Sequence, residues 1–214
     1  MTPSQQQALD NKLARWGIPL NTLPIEHSEY FGNANPVAME VGFGMGDSLA
    51  QMAENHPDYN FIGVEVHPPG VGRLLALIEK KGLRNLRLVN ADVVEVLQRG
   101  YQDPRLQRIN IYFPDPWHKK KHHKRRLIQP EFLTLLHRAL ARDGLLHIAT
   151  DWQPYAEHIF DVLQQQPLFE NIAGQNGTVD AAEYGRPETK FERRGQRLGH
   201  GVWDMVFRAL PAKQ

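Results

Sequence analysis

Residues 37–46 read VAMEVGFGMG and predict the start of an α/β fold. An apolar run that ends in closely spaced glycines is typical of a buried strand followed by a tight turn that a ligand can approach. Strand-like and helix-like stretches alternate from this point onward. The predicted strands are 37–43, 61–66, 86–90, 109–113, 145–150 and 202–208, and the predicted helices are 6–16, 47–55, 71–80, 93–100, 130 to a stop at Gly144, and 154–164.

This alternation predicts a doubly wound, mostly parallel sheet of the Rossmann-like α/β class, with ligands bound at the carboxyl ends of its strands. The last strand, 202–208, follows no clear crossover helix, so we expect it to be antiparallel. We predict an N-terminal arm over residues 1–36 and one catalytic domain over 37–214.

The composition excludes several classes of protein. No stretch has the roughly 18 apolar residues of a membrane span, and the first residues do not resemble a secretory signal, so we expect a soluble cytoplasmic protein. The absence of cysteine excludes disulfides, thiolate zinc sites and base methyltransferases that act through a covalent thioether.

Positive charge is concentrated in residues 119–126, which read KKKHHKRR. Six of the 25 Lys and Arg residues lie there, so 19 remain elsewhere against 24 Asp and Glu. The pattern indicates either one contact with a polyanion or a solvated surface loop. The candidate phosphate-binding residues are Lys119, Lys120, Lys121, Lys124, Arg125 and Arg126. If all six contact RNA of single-stranded character, log affinity is expected to fall with log salt at a slope of roughly −4.

The predicted cofactor site begins with Gly42, Gly44 and Gly46. Asp47 stands where a dinucleotide-binding motif has its third glycine, and Glu40 precedes the loop, so a pyrophosphate would face like charge. S-adenosyl-L-methionine presents an ammonium and a sulfonium group instead, which acidic residues attract. The charges therefore favour this cofactor.

Two more acids end the next two predicted strands. Glu65 is placed to accept from both ribose hydroxyls, and Asp92 either accepts from the adenine amino group or caps the following helix.

The fourth predicted strand leads into Phe113-Pro114-Asp115-Pro116-Trp117-His118. Two prolines fix the backbone around one carboxylate, and the aromatic Trp117 suits a flat heterocycle. A rigid structural turn with Trp117 in the core is the alternative.

These motifs, with the later Ala-Thr-Asp-Trp (149–152) and Thr-Lys-Phe-Glu (189–192), resemble the bacterial tRNA (guanine-N7)-methyltransferases over 37–207. The resemblance implies transfer of a methyl group from S-adenosyl-L-methionine to a guanine in the variable loop of tRNA. It implies that Glu40, Glu65, Asp92 and Asp115 line the cofactor pocket, that Asp115 is catalytic, and that Lys119, Asp151 and the segment Thr189 to Glu192 contact the substrate.

Some of these residues have structural alternatives. Asp151 can accept from the Watson–Crick edge of guanine or cap the next helix. Thr189 and Glu192 also fit a capping box, which local sequence alone favours.

Three other functions remain open from the sequence: methylation of an exocyclic amine of adenine or cytosine, a nucleotide-dependent oxidoreductase, and a non-catalytic RNA-binding module. We expect tRNA as partner, no metal, no membrane, and a monomer or homodimer.

Overall fold

The computed structural model describes residues 3–188, Glu192 and residues 201–211, with side chains from residue 9 onward. The chain divides into two compact units, residues 1–102 and residues 103–214. Helices and strands alternate in both.

The first unit contains a parallel sheet. Its elements are α1 (Pro3–Trp16), α2 (His27–Phe31), β1 (Val37–Val41), α3 (Asp47–Asn55), β2 (Asn60–Val64), α4 (Pro68–Lys81), β3 (Leu86–Val89) and α5 (Val93–Gly100). The central strand, β2, pairs in parallel with β1 and β3, with Phe61 opposite both Ala38 and Leu86. Every residue of β1 and β2 is buried, as expected for a parallel strand covered on both faces.

Local sequence explains where the helices of this unit begin and end. Helix α4 has prolines in its first turn and ends at Gly82, whose φ of 64° is that of a left-handed cap. The predicted N-terminal arm, residues 1–36, is hydrogen-bonded to β3 of this unit. The N–H of Ile18 donates to the Leu88 carbonyl at 2.8 Å. The short helix α2 was not predicted.

The second unit combines parallel and antiparallel strands. Its elements are β4 (Leu106–Tyr112), α6 (Pro130–Ala139), β5 (Leu140–Thr150), α7 (Gln153–Gln164), β6 (Phe169–Asn171) and β7 (Trp203–Ala209). Strand β5 pairs in parallel with β4 and antiparallel with β7, which also pairs antiparallel with β6. The predicted fold class, a doubly wound and mostly parallel sheet with a C-terminal antiparallel strand, is confirmed. Strand β6 was not predicted.

One predicted boundary is wrong. The helix that begins at Pro130 was expected to continue to Gly144, but it ends at Ala139 and β5 begins at once. Leu106 lies opposite Leu140 and Arg108 opposite Leu145, so the intervening residues of β5 form a bulge. Asp143 in this bulge has a φ of 60°. The Asp-Gly pair marks a bulge here, and not a helix stop.

The described residues provide neither a membrane-spanning helix nor a cluster of metal-binding side chains. No described helix is long and apolar enough to cross a membrane. Likewise, no group of three or more His, Cys, Asp or Glu side chains among these residues is arranged to hold a metal ion.

Candidate active site

The loop between β1 and α3 requires glycine at three positions. Gly42, Gly44 and Gly46 have φ values of 68°, 55° and 77°, in the left-handed region. An L-residue there costs about 1–2 kcal/mol. Apart from the adjacent residues of the chain, no heavy atom lies within 4 Å of a Cβ built on Gly42 or Gly44, whereas a Cβ on Gly46 would lie 2.8 Å from Leu74 Cδ1. The loop is therefore bare at Gly42 and Gly44, where a ligand can approach its backbone.

The acidic residue before this loop is inside the protein. Glu40 belongs to β1, lies opposite Gly63 of β2, and is 3% exposed. Burial of a carboxylate is costly unless other groups compensate its charge. Its position at the base of the glycine loop is the one that the sequence predicted.

Glu65 holds the glycine loop to the end of β2. Its Oε2 accepts the Gly44 N–H at 2.9 Å, and its Oε1 accepts the N–H groups of Val66 and His67 at 2.8 and 3.0 Å. A carboxylate has about four acceptor positions, so three are in use and about one remains for a ligand. The expected contact with both ribose hydroxyls would require one of these backbone bonds to open.

Asp92 is the N-cap of α5. Its Oδ1 accepts the Val94 N–H at 2.7 Å, and the residue is exposed. Of the two roles predicted for Asp92, the structure therefore shows the helix cap. Because a carboxylate has a second oxygen, the cap does not prevent a contact with a ligand.

Helix α4 packs closely on the glycine loop. A Cβ built on Gly70 would lie 2.0 Å from the carbonyl oxygen of Gly44, a backbone atom that cannot simply rotate away. This requirement for glycine could not be predicted from the sequence, because Gly70 lies outside the glycine motif.

We therefore expect Gly70→Ala to displace the glycine loop and weaken binding of S-adenosylmethionine by about 10-fold or more, equivalent to about 1.4 kcal/mol. Gly72→Ala is the matched control in the same helix, because its nearest neighbour would be Leu9 Cδ1 at 3.8 Å, an ordinary contact. Isothermal titration of both variants with the cofactor checks this. Equal affinities in the two variants would contradict the proposed packing.

In the second unit, the turn after β4 holds Asp115 at the surface. Phe113 and Trp117 have φ values of 51° and 45°, unusual for residues other than glycine. Such conformations cost about 1–3 kcal/mol each and cluster at functional sites. Asp115 is exposed, and its Oδ1 accepts the Trp117 N–H at 2.9 Å. The prolines and this bond together fix the position of the carboxylate.

The basic segment forms a short 3-10 helix, Lys120–Arg125, that follows Lys119. Five of its six predicted phosphate-binding residues are exposed, namely Lys119, Lys120, Lys121, Lys124 and Arg125. These five remain accessible to a polyanion.

Arg126 differs from the expected exposed position. It is 4% exposed, and its Nε donates to the Pro116 carbonyl at 2.9 Å. The guanidinium also lies 3.1 Å from His123 Nε2 and 4.9 Å from the ring centre of Tyr155. The hydrogen bond to Pro116 stabilises the Pro-Asp-Pro turn from the buried side, and the guanidinium is not accessible to a phosphate.

Asp151 lies at the same strand edge as the Asp115 turn. Tyr112 is opposite Ala149, and the Phe113 N–H donates to the Ala149 carbonyl at 2.8 Å, so the segments after β4 and β5 start side by side. Asp151 is exposed and has no hydrogen-bond partner among the described residues. The N-cap of α7 is Trp152, so the alternative role of Asp151 as the cap is not observed.

Glu192 is part of a buried ion network. It is 5% exposed, and both its oxygens accept from Arg186, at 2.7 and 2.5 Å. Arg186 also donates to both oxygens of Asp204 at 2.6 Å. Thr189, the first residue of the expected capping box, lies outside the described residues. The carboxylate of Glu192 would have to exchange its hydrogen bonds with Arg186 to make the expected contact with the substrate.

His147 extends this network in its neutral form. Its Nε2 lies 2.7 Å from Asp204 Oδ1, and its Nδ1 lies 2.7 Å from the Arg108 guanidinium. Because arginine only donates, Nδ1 must be the acceptor and Nε2 must carry the hydrogen. Burial lowers the pKa of His147 to about 4, against the opposing hydrogen bond with Asp204. The sequence offered no signal for this arrangement.

Solved structures share the fold. The 16S rRNA methyltransferase KamB superposes with a TM-score of 0.61 over 86% of this chain and 92% of its own, at 14% identity. A 16S rRNA (adenine(1408)-N(1))-methyltransferase from Catenulisporales acidiphilia gives a TM-score of 0.55 over 87% and 91%, at 16% identity. At these identities the likeness shows the fold alone.

Sequence comparison is more specific. The family model described as "Putative methyltransferase" matches residues 34–205. Proteins named tRNA (guanine-N(7)-)-methyltransferase from Alcanivorax borkumensis and Saccharophagus degradans are each 50% identical over 97% of this chain, covering 86% and 90% of their own lengths. The relative of the same name from Methylobacillus flagellatus is 50% identical over 97% of the chain and 87% of its own. The chain belongs to the tRNA (guanine-N(7)-)-methyltransferase family.

Proposed function

We propose that this protein transfers the methyl group of S-adenosylmethionine to N7 of a guanine in the variable loop of tRNA. The observation that carries the proposal is the 50% identity, over 97% of the chain, to proteins named for this activity. The exposed carboxylate of Asp115, fixed in its turn, provides the chemical support.

The first unit fits the cofactor. The backbone is open at Gly42 and Gly44, and three carboxylates, Glu40, Glu65 and Asp92, favour a cationic ligand over a pyrophosphate. Asp47 adds little to this preference, because Arg73 donates to both of its oxygens, at 3.2 and 2.6 Å. When bound, S-adenosylmethionine supplies an electrophilic methyl group on a sulfonium.

The reaction requires positioning more than proton transfer. N7 of guanine has an in-plane lone pair and no hydrogen, so no general base is needed before it attacks. Holding the nucleophile in line with the methyl group is worth about 7–11 kcal/mol in well-oriented reactions. The purine gains positive charge as the methyl arrives, and the carboxylate of Asp115 stabilises that charge. Asp115 is thus the proposed catalytic residue; its predicted contact with the cofactor remains a prediction.

Two further side chains orient the substrate in this proposal. Asp151 accepts from N1–H and N2–H of the guanine, which fits an exposed carboxylate without a described partner. Lys119 contacts the nucleotide at the start of the basic segment. The predicted roles of Thr189 and Glu192 stay predictions, and that of Glu192 would require its bonds to Arg186 to be exchanged.

Binding of tRNA is expected to depend on salt through the five exposed basic residues of 119–126. Five contacts with single-stranded character predict a slope of log affinity against log salt of about −3.5. Replacing Lys120 and Lys121 with alanine is expected to reduce the magnitude of this slope by about 1.4. Lys80→Ala in α4 is the control and leaves it unchanged. A slope near zero in the unmodified protein would contradict this role.

The activity is tested by incubating the protein with labelled S-adenosylmethionine and unmodified tRNA, and then separating the product nucleosides. We expect the label in 7-methylguanosine. Label in N6-methyladenosine or N4-methylcytidine would instead support the alternative, an exocyclic-amine methyltransferase that uses the same Pro-Asp-Pro-Trp turn. Tight binding of NAD without binding of S-adenosylmethionine would support an oxidoreductase.

A further inference from the structure

We propose that the indole of Trp152 stacks on the target guanine and stabilises the positive charge that the purine gains when N7 is methylated. This rests on the proposed function and adds to it a binding surface for the base. The ligand class is a purine, with the N7-methylated cation preferred over the neutral base.

Trp152 presents a large apolar surface to solvent. The residue is 39% exposed, and it is the only large apolar residue so exposed among the described residues of the second unit. Indole rings normally bury most of their area, so an exposed one at a strand end is suited to contact a ligand.

The backbone of Trp152 is held in place before a ligand binds, and its indole already packs against a neighbouring ring. Its backbone N–H donates to Thr150 Oγ1 at 3.3 Å, and its backbone carbonyl accepts from the N–H groups of Tyr155 and Ala156 at 2.9 and 3.1 Å, at the start of α7. The ring of His118 packs against the indole edge to face, with centroids 4.4 Å apart and planes at 85°. A fixed aromatic ring loses little conformational freedom when a base stacks on it.

The sequence indicated Trp117 as the aromatic residue for a flat heterocycle. In the structure its ring already contacts two other side chains. The Arg125 guanidinium lies 5.0 Å from the centre of its ring, and the His122 ring packs edge to face at 5.7 Å. With these neighbours the indole of Trp117 is only partly exposed, and less so than that of Trp152. The structure therefore favours Trp152 as the stacking surface.

Trp152 directly follows Asp151, whose exposed carboxylate suits the hydrogen-bonding edge of guanine. His118 comes from the segment that carries Asp115, so the contact between the two rings joins the segments of Asp115 and Asp151. An edge contact from a carboxylate and a face contact from an indole are compatible on one purine.

The charge change explains why an aromatic face aids the reaction. The N7 lone pair forms the new carbon–nitrogen bond while the carbon–sulfur bond breaks, and its electron pair stays on sulfur as a neutral thioether. No proton moves, and the positive charge passes from sulfur to the purine. An indole face attracts a cationic purine more strongly than it attracts a neutral one. The interaction is therefore stronger in the transition state than with unreacted guanine.

The test measures binding of 7-methylguanosine 5′-monophosphate and guanosine 5′-monophosphate by isothermal titration calorimetry, with tryptophan fluorescence as a second readout. The unmodified protein is expected to bind the methylated nucleotide about 10-fold more tightly, a range typical of a cation on an aromatic face. Trp152→Phe keeps part of this preference, and Trp152→Leu loses both the preference and the fluorescence quenching. Trp16→Phe, in the first unit, is the matched control and keeps both.

Kinetics of tRNA methylation provide a further readout. Trp152→Leu is expected to lower kcat by about 10-fold, a typical effect of a lost cation–aromatic contact, with less change in KM for tRNA. The stacking proposal is overturned if the unmodified protein shows no preference for the methylated nucleotide, or if Trp152→Leu keeps that preference. A protein that binds the methylated nucleotide through Trp152 but leaves guanine in tRNA unmethylated contradicts the proposed function and not the binding surface.

Discussion

Replacing Asp115 with alanine is expected to lower kcat for tRNA methylation by about 10²- to 10³-fold, the usual effect of removing one preorganised electrostatic group. The carboxylate is exposed and is held by the bond from the Trp117 N–H, so the proposed role requires no rearrangement of this side chain. Single-turnover methylation with saturating cofactor measures this change directly.

Asp115→Asn separates the charge of this side chain from its structural role. The asparagine oxygen can still accept from the Trp117 N–H, so the turn and the thermal stability are expected to be retained. The rate is expected to fall nearly as far as in the alanine variant. An asparagine variant with an unchanged rate would show that the charge is not required.

Removing Arg186 is expected to have the largest effect on stability. Arg186→Met leaves the buried carboxylates of Asp204 and Glu192 without their shared partner, which typically costs about 3–5 kcal/mol in free energy of unfolding. Burial by itself lowers the pKa of Arg186, but the hydrogen bonds to these two acids outweigh it and raise the pKa. Urea unfolding at neutral pH measures the loss.

Arg208→Met is the matched control for this experiment. Arg208 belongs to the same unit and pairs with Glu170, but the two atoms are 3.8 Å apart and both side chains are about half exposed. Exposed pairs of this kind contribute about 0–1 kcal/mol. Similar losses in the two variants would contradict a buried, strongly coupled network around Arg186.

Features that depend on neighbouring residues could be predicted from the sequence. The glycine loop after β1 was found because three glycines follow an apolar run, and the acids at the ends of β1 and β2 were found because each directly follows or ends such a run. The antiparallel pairing of β7 followed from the absence of a crossover helix before it.

Features that depend on distant partners could not be predicted. Arg126 has the same local sequence as its exposed basic neighbours, and only the fold shows that it bonds to Pro116. Glu192 fits a capping box locally, but its carboxylate pairs with Arg186, which in turn binds Asp204, 18 residues away. Burial and partner choice arise from packing, which residue type and spacing do not specify.

The choice between two tryptophans illustrates the same limit. Trp117 was favoured because it follows the acid and the prolines of the turn. In the structure Trp117 contacts Arg125 and His122 and is only partly exposed, whereas Trp152 is exposed beside His118. The accessible face of a ring is set by side chains around it and cannot be inferred from its position in a motif.

The most direct test of the account asks whether N7 itself accepts the methyl group. A tRNA transcript in which 7-deazaguanosine replaces every guanosine keeps the base-pairing edge but has carbon at this position. We predict that this transcript binds the protein but receives no label from S-adenosylmethionine, whereas a 7-deazaadenosine transcript is methylated at the normal rate. Methylation of the 7-deazaguanosine transcript would contradict the assignment of guanine N7 as the acceptor.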